Sequence, residues 1–237
     1  MVSLAPPIET RPLARGDLQA IRELLRPALE ARLASERGAT GARRDVLICA
    51  GGGCVSCRAV ALASEFETLI HDAGLDARAR VVQVGCMGLC EAGPLVLIAP
   101  DGVYYPKVDS ALARRIVAEH LAGDTPVADA ELTWIDPEGA GIRRSREVPF
   151  FARQLKIALR NCGVVDPLRL EEYIALDGYE GLARVLFDVA PEEILETVKR
   201  SQLRGRGGGG FSAGLKWQFV REVAGSEKYI ICNGDEG

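Results

Sequence analysis

The sequence has few histidines, no long apolar run and no excess of basic residues. Its net charge of −4 at pH 7 gives no electrostatic reason to expect binding to nucleic acid or to an anionic membrane surface. No apolar stretch approaches the ~18 residues of a membrane span, and residues 1–17 lack the apolar core of a secretory signal. These features predict a cytoplasmic protein without direct membrane insertion. The two histidines, His71 and His120, are predicted to be solvated on helix faces rather than to act as acid–base catalysts.

Cysteine is the residue type whose distribution departs most from an ordinary protein. There are seven cysteines, an odd number that would leave one unpaired in a disulfide framework. Five of them fall within residues 49–90. In a cytoplasmic chain this clustering favours metal binding or redox chemistry over disulfides.

The order of predicted elements in the first half of the chain indicates an α/β domain. Apolar residues recur at helical spacing from Asp17 onward. The elements that follow are a strand at 46–48, a helix at about 57–73, a strand at 81–84, a hairpin of 95–98 with 103–105, and a helix capped near Asp109 or Ser110. The order β-α-β, then β-β-α, is that of a thioredoxin-like domain. Both cysteine loops leave the carboxyl ends of neighbouring strands, where such a sheet places its sites.

The second half is predicted to be mainly helical after an irregular linker. The expected elements are helices at about 149–161, 169–176, 179–187, 191–200 and 212–223, a glycine-rich stretch at 205–210, and a strand at 228–232. The predicted domains are a lead and helix at 1–44, a thioredoxin-like domain at 45–122, a linker at 123–148, and the start of a second domain at 149–237. The loop-like sequence 233–237 indicates that this second domain is truncated.

The four cysteines in the two loops have the spacing of a cluster site. Cys49-x4-Cys54 and Cys86-x3-Cys90 can deliver two thiolates each, and an iron–sulfur cluster needs four. The glycines around them permit close backbone approach, which lets amide N–H groups point at sulfur. This pattern predicts a 2Fe–2S cluster on these four cysteines.

Two other interpretations of the cysteines remain open at this stage. Structural zinc also uses closely spaced cysteine pairs, so spacing alone does not exclude it. A redox dithiol at Cys54-x-x-Cys57 would leave Cys86 and Cys90 unexplained. Cys57 is predicted to be a buried or helix-face cysteine, and Cys162 and Cys232 to be packing residues.

Residues 45–122 resemble the thioredoxin-like 2Fe–2S ferredoxin domains of respiratory and hydrogenase NADH dehydrogenase modules. The resemblance rests on CAGGGC, on VGCMGLCEAGP and on the hairpin after it. It implies a thioredoxin-like fold with Cys49, Cys54, Cys86 and Cys90 as the cluster ligands.

The glycine-rich stretch 203–211 does not fit the common nucleotide-binding motifs. Its formal G-x-G-x-x-G follows a helix instead of the strand that a Rossmann fingerprint requires. A P-loop also fails, because Leu215 separates Gly214 from Lys216 and Trp217 stands in place of Ser or Thr. What remains is a backbone nest that opens a helix, with cationic side chains nearby, which suits a phosphate group. Phe211 and Phe219 could lie against a flat ring system.

The segments RGRGGGGFSAGLKW and KYIICNGDEG resemble the flavoprotein subunit of NADH dehydrogenases, the complex I 51-kDa type. The combination with a preceding ferredoxin domain is most similar to the β subunits of NAD-linked multimeric hydrogenases and formate dehydrogenases. This resemblance implies FMN as a cofactor, NADH as a substrate, other Fe–S subunits as partners, and a 4Fe–4S cluster only in a missing C-terminal region. The residues implied in the FMN and NADH site are Gly205, Arg206, Gly207, Gly208, Gly209, Gly210, Phe211, Lys216, Phe219, Asn233, Asp235 and Glu236.

The function implied by the resemblance is electron transfer in an NAD(H)-dependent oxidoreductase complex. The full system would exchange hydride between NADH and FMN and pass single electrons through Fe–S clusters to or from a hydrogenase, a formate dehydrogenase or a respiratory partner. The alternative is a non-catalytic 2Fe–2S electron carrier in which this chain alone binds no flavin.

Overall fold

The chain divides into two units, Met1–Gly178 and Tyr179–Gly237. The structure is a computed structural model, and it describes residues 14–34, 43–135, 139, 141–142, 147, 149–225, 227, 229 and 231. Within these ranges, none of the helices is both long and apolar enough to cross a membrane.

A four-stranded sheet forms the centre of the first unit. Its strands are β1 (Arg44–Cys49), β2 (Ala79–Val84), β3 (Val96–Ala99) and β4 (Val103–Tyr105), in the spatial order β2-β1-β3-β4. Strand β1 runs parallel to β2 and antiparallel to β3, and β4 returns antiparallel to β3. This arrangement confirms the predicted α/β architecture and the thioredoxin-like strand order.

The two faces of the sheet are buried in different clusters, because side chains alternate along a strand. Val46 and Ile48 face one cluster, which also contains Phe66 of helix α3 (Ala59–Asp72). Leu47 belongs to the opposite cluster. Helix α1 (Arg15–Ala34) packs against α6 (Leu170–Ala175) and touches β3.

Two predicted helices of this unit differ from those observed. The helix expected at 57–73 is divided into α2 (Gly52–Ser56) and α3, because Arg58 between them adopts a left-handed conformation with φ of 68°. The helix expected at 149–161 is wrong in extent, since α5 (Pro149–Ala152) ends after one turn and turns follow it.

The remaining helix and small sheet complete the described first unit. Asp109 caps α4 (Ser110–Arg115), as predicted, by accepting a hydrogen bond from the Leu112 amide at 2.8 Å. The backbone then continues as a π-helix over Ile116–Ala122. Strands β5 (Trp134–Ile135) and β6 (Gly141–Ile142) pair as a separate two-stranded sheet.

The described part of the second unit is helical, as predicted. Its helices are α7 (Glu180–Phe187), α8 (Pro191–Arg200) and α9 (Ala213–Glu222), and α8 packs against α9. Pro191 occupies the first turn of α8, where its missing N–H costs nothing. Most of the strand predicted at 228–232 lies outside the described residues.

Candidate metal centre and glycine-rich loop

The four predicted cluster cysteines meet at one edge of the sheet. Cys49 is the last residue of β1 and lies opposite Val84, the last residue of the parallel strand β2. The chain beyond β2 supplies Cys86 and then Cys90, which begins a short 3-10 turn, while Cys54 lies in helix α2. The prediction that both cysteine loops leave the same sheet edge is confirmed, because parallel strands end on the same side.

Glycines bring the two cysteine loops into close contact. A Cβ added at Gly51 would lie 3.0 Å from the Cβ and 3.3 Å from the Sγ of Cys86. At Gly53 it would lie 3.7 Å from the Sγ of Cys90, and at Gly93 it would lie only 3.0 Å from the Sγ of Cys54. Only residues without a side chain fit comfortably at the tightest of these positions, so the glycines form a cradle around the sulfur atoms.

The thiols are close enough to affect one another electrostatically. Burial, followed by a hydrogen bond with Cys49, raises the pKa of Cys54 to about 11. The pKa of the exposed Cys90 is also raised, chiefly by its hydrogen bond and charge interaction with Cys86. The Gly88 amide donates a hydrogen bond to the Cys86 sulfur at 3.3 Å, so one of the predicted amide-to-sulfur contacts is present.

The cysteines form two interacting pairs, Cys49 with Cys54 and Cys86 with Cys90. Among the residues that the structure describes, no three His, Cys, Asp or Glu side chains are grouped around one point that could hold a single ion. A structural zinc ion needs four such ligands. In a 2Fe–2S cluster each iron takes two protein ligands, so the two pairs fit that cluster better than the zinc alternative.

The other cysteines differ from their predicted settings. Cys57 is exposed and is the residue after helix α2, so it is neither buried nor inside a helix. Cys162 is exposed as well, which makes its prediction as a packing residue wrong. Cys232 lies outside the described residues.

The glycine-rich segment is a closed loop that leads directly into helix α9. Arg204 and Ser212 form an isolated antiparallel bridge at its two ends, and the Gly205 amide donates to the Phe211 carbonyl at 2.8 Å. Gly208 and Gly210 have φ of +98° and +59°, conformations that favour glycine. Ser212 then caps α9 by accepting a hydrogen bond from the Leu215 amide at 3.3 Å. The predicted placement of the loop at a helix N-terminus is therefore confirmed.

The side chains predicted near a flavin are exposed around this loop. The ring centroids of Phe211 and Phe219 lie 6.3 Å apart, and both rings are about half exposed. Arg206 and Lys216 are also exposed. The structure thus brings the loop and the two rings to the N-terminal half of α9. The other three predicted residues, Asn233, Asp235 and Glu236, lie outside the described residues.

One predicted surface residue is part of the core instead. His120 is 1% exposed, which makes its prediction as a solvated residue wrong. Its Nδ1 lies 2.8 Å from the Tyr105 hydroxyl, and its Nε2 lies 2.7 Å from Asp101. The Val127 amide donates to the same hydroxyl at 3.0 Å. His71, by contrast, is exposed as predicted.

Three glycines that the sequence did not single out are packed closely. Gly93 contacts Cys54, and a Cβ at Gly163 would meet Met87 Cγ at 3.1 Å. Gly214 of α9 packs against Lys199 of α8, where a Cβ would lie 2.9 Å from the Lys199 Cα. Gly93 could have been noticed from its place directly after the fourth cysteine turn, but the other two depend on contacts between segments.

Comparisons with known proteins agree with the two parts of this site. Residues 198–237 match the family model of the Nuo51 FMN-binding domain. The resemblance to flavoprotein subunits of NADH dehydrogenases and NAD-linked hydrogenases is therefore confirmed for this segment.

Individual relatives cover other stretches. Over 85 residues the chain is 54% identical to the NADP-reducing hydrogenase subunit HndC of Solidesulfovibrio fructosivorans, which is 36% of this chain and 17% of that protein. Over 152 residues it is 32% identical to the NAD-reducing hydrogenase HoxS subunit alpha of Cupriavidus necator, which is 64% of this chain and 23% of that protein. The chain thus spans no more than about a quarter of the length of these curated relatives. The thioredoxin-like [2Fe-2S] ferredoxin of Aquifex aeolicus aligns with a TM-score of 0.37 and 26% identity, covering 40% of this chain and all of that one.

Proposed function

We propose that this chain is an electron-transferring subunit of an NAD(H)-dependent oxidoreductase complex, with a 2Fe–2S cluster in its first unit. The observation that carries the proposal is the meeting of four cysteines, in two pairs, inside a cradle of glycines. The match of residues 198–237 to an FMN-binding family supports the flavoprotein part.

Each pair of cysteines would hold one iron. Cys49 and Cys54 are buried and Cys86 and Cys90 are exposed, so the site has a protected side and a side open to solvent. When bound, the cluster would accept and release one electron at a time. The chain's own contribution is to fix the sulfur positions through Gly51 and the other glycines of the cradle, and to stabilise the Cys86 thiolate through the Gly88 amide.

The glycine-rich loop would bind the phosphate of FMN, with NADH as the substrate. The backbone of Gly205–Gly210 lies at the N-terminus of α9, where amide groups favour an anion. Phe211 and Phe219 would border the nicotinamide, and Lys216 would contact FMN together with Asn233 and Asp235, with Glu236 beside the flavin. When bound, FMN exchanges a hydride with NADH and electrons singly with clusters.

The partners proposed for the chain are other Fe–S subunits. Relatives named as subunits of an NADP-reducing and an NAD-reducing hydrogenase support a hydrogenase-type complex over the other candidates. The proposed location is the cytoplasm. The boundaries 45–122 and 149–237 for the ferredoxin and flavoprotein domains also stay predictions.

The direct test is a cofactor analysis of the purified 237-residue chain. We expect iron and acid-labile sulfide in equal amounts and an EPR signal of a 2Fe–2S cluster after reduction. Cys49→Ser should lose most of the iron, whereas Cys57→Ser, a change of the same kind at an exposed cysteine outside the two pairs, should keep it. A wild-type chain without a reducible signal, or equal iron in both variants, would refute the cluster assignment. Iron and sulfide without FMN would favour the non-catalytic carrier.

The cradle provides a second test that leaves all thiols in place. Gly93→Ala would put a methyl group 3.0 Å from the Cys54 sulfur, whereas Gly52→Ala meets nothing within 4 Å. We therefore expect Gly93→Ala to lower the iron content and Gly52→Ala to leave it unchanged.

A further inference from the structure

The second cysteine loop is held between two other segments of the first unit. On one side, the backbone at Gly51 in the first cysteine loop contacts Cys86. On the other side, Gly163 packs against Met87, and the space beside Gly85 is bordered by Cys162 at 4.0 Å. Residues 162–163 lie far along the chain from both cysteine loops, so this contact is purely tertiary.

The contact at Gly163 leaves no room for a side chain. A Cβ there would lie 3.1 Å from Met87 Cγ and 3.6 Å from Met87 Cα. Gly163 also has φ of +76°, a conformation that side chains disfavour. The backbone of residue 163 is thereby pressed directly onto the residue next to the Cys86 ligand.

The segment that contains Gly163 is fixed from beneath by buried charges. Arg32 of α1 donates to the Val164 carbonyl and makes two hydrogen bonds to Glu172 of α6, at 2.9 and 3.1 Å. Glu172 also accepts a hydrogen bond from the Asp166 amide at 2.8 Å. Residues 164 and 166 are therefore both held by the same pair of side chains.

The charges in this anchor network, defined as Arg32, Asp45, Arg80 and Glu172, are balanced. Asp45 accepts from Arg32 at 2.8 Å and from Arg80, which gives two cations and two carboxylates. The side chains of Arg32 and Glu172 are only 1% and 5% exposed. Removing one partner of such a buried pair leaves an uncompensated charge, so the network specifies one position for the segment.

We propose that the 162–166 segment, held by the anchor network, positions the Cys86–Cys90 loop for cluster binding through the contact of Gly163 with Met87. The inference rests on the proposed cluster function. Gly163 and Met87 are positioning residues in this scheme, since neither side supplies a ligand atom.

The test compares two glycines with the same backbone strain. Gly74 has φ of +67° and nothing within 4 Å of an added Cβ, so Gly74→Ala reproduces the strain of Gly163→Ala without the contact. In the reconstituted chain, Gly163→Ala should shift the EPR g-values of the reduced cluster and accelerate iron release to a chelator about fivefold, as coupled neighbours do. Gly74→Ala should leave both close to wild type.

A double variant separates positioning from general loss of stability. Met87→Ala removes the side chain that the new methyl group would strike, so iron release from Met87→Ala/Gly163→Ala should be within about twofold of Met87→Ala alone. Purely additive effects of the two changes would overturn the proposal. If Gly163→Ala does not fold, Met87→Ala decides the matter: its reduced cluster should also have shifted g-values, and unchanged g-values would refute the proposal.

The anchor network is tested through Glu172→Gln, which keeps the shape and removes the charge. Amide hydrogen exchange at 162–166 and the rate of iron release should rise together, and a rise in exchange alone would refute the coupling. A wild-type chain that binds no cluster would instead refute the proposed function. The positioning role would then be decided by hydrogen exchange at 85–90 in the metal-free chain, which should be faster in Gly163→Ala than in Gly74→Ala if the role exists and equal if it does not.

Discussion

Replacing Tyr105 by Phe tests the buried hydrogen-bond chain at the centre of the first unit. The Val127 amide donates to the Tyr105 hydroxyl, and the distances fit a hydroxyl that donates to His120 Nδ1 while Nε2–H donates to Asp101. Tyr105 and Val127 are fully buried, and His120 is 1% exposed. Every polar atom of the chain therefore depends on the next one rather than on water.

The expected cost follows from the partners that lose their hydrogen bonds. Tyr105→Phe keeps the ring but leaves the Val127 N–H and one nitrogen of His120 unsatisfied in the core. A buried unsatisfied group costs about 1–3 kcal/mol, and the removed hydroxyl no longer has to be desolvated. We expect a loss of about 3 kcal/mol in the free energy of unfolding of the first unit.

Urea unfolding followed by tryptophan fluorescence measures this loss. The sequence has two tryptophans, so a Trp217→Phe background leaves Trp134, which packs edge-on against Tyr104 at 5.8 Å, as the reporter of the first unit. Tyr229→Phe makes the same chemical change at a site that is 81% exposed and should leave the transition unchanged. A loss below about 1 kcal/mol for Tyr105→Phe would show that ring packing, and not the hydrogen-bond chain, stabilises this region.

Three further predictions concern pH, helix packing and capping. Burial acts to raise the pKa of Asp101, but hydrogen bonds from His120 and Arg44 outweigh it and hold that pKa below its usual value. Its stabilising effect should be complete at neutral pH and be lost as the pH falls from about 4 through the folded pKa; urea titrations at stepwise pH should show a smaller loss in Asp101→Asn. Gly214→Ala should disrupt the packing of α8 on α9 and lower thermal stability, whereas Gly181→Ala, in α7 with open space around it, should raise stability by about 0.5–1 kcal/mol; calorimetry that gave both changes the same sign would contradict the proposed packing. Asp109→Ala should cost about 1 kcal/mol in urea unfolding because it removes the N-cap of α4, and Asp109→Asn should largely preserve it.

Much of the local structure was predictable because local patterns specify it. Alternating burial and apolar runs located β1 and β2, and Asp109 and Pro191 marked helix starts through their own backbone chemistry. Arg58 was a different case, since a left-handed residue without glycine gives no sequence signal, and the helix predicted at 57–73 was interrupted there.

The burial of polar residues was harder to predict than secondary structure. His120 has the helical neighbours of a surface residue, yet Tyr105 and Asp101 satisfy both of its nitrogens in the core. Arg32 likewise looks like an ordinary charged helix residue, although its partners are more than 130 residues away at Val164 and Glu172 and close by at Asp45.

The sequence alone determined the four cysteines, their division between two loops, and the glycine-rich stretch that precedes a helix. It could do so because ligand type and spacing, and the freedom of glycine, are properties of short segments. Only the tertiary structure decided that the two loops end side by side, that Gly93 approaches Cys54, and that Gly163 supports Met87. Those facts depend on strand pairing and on contacts between segments far apart in the chain, and no local pattern encodes them.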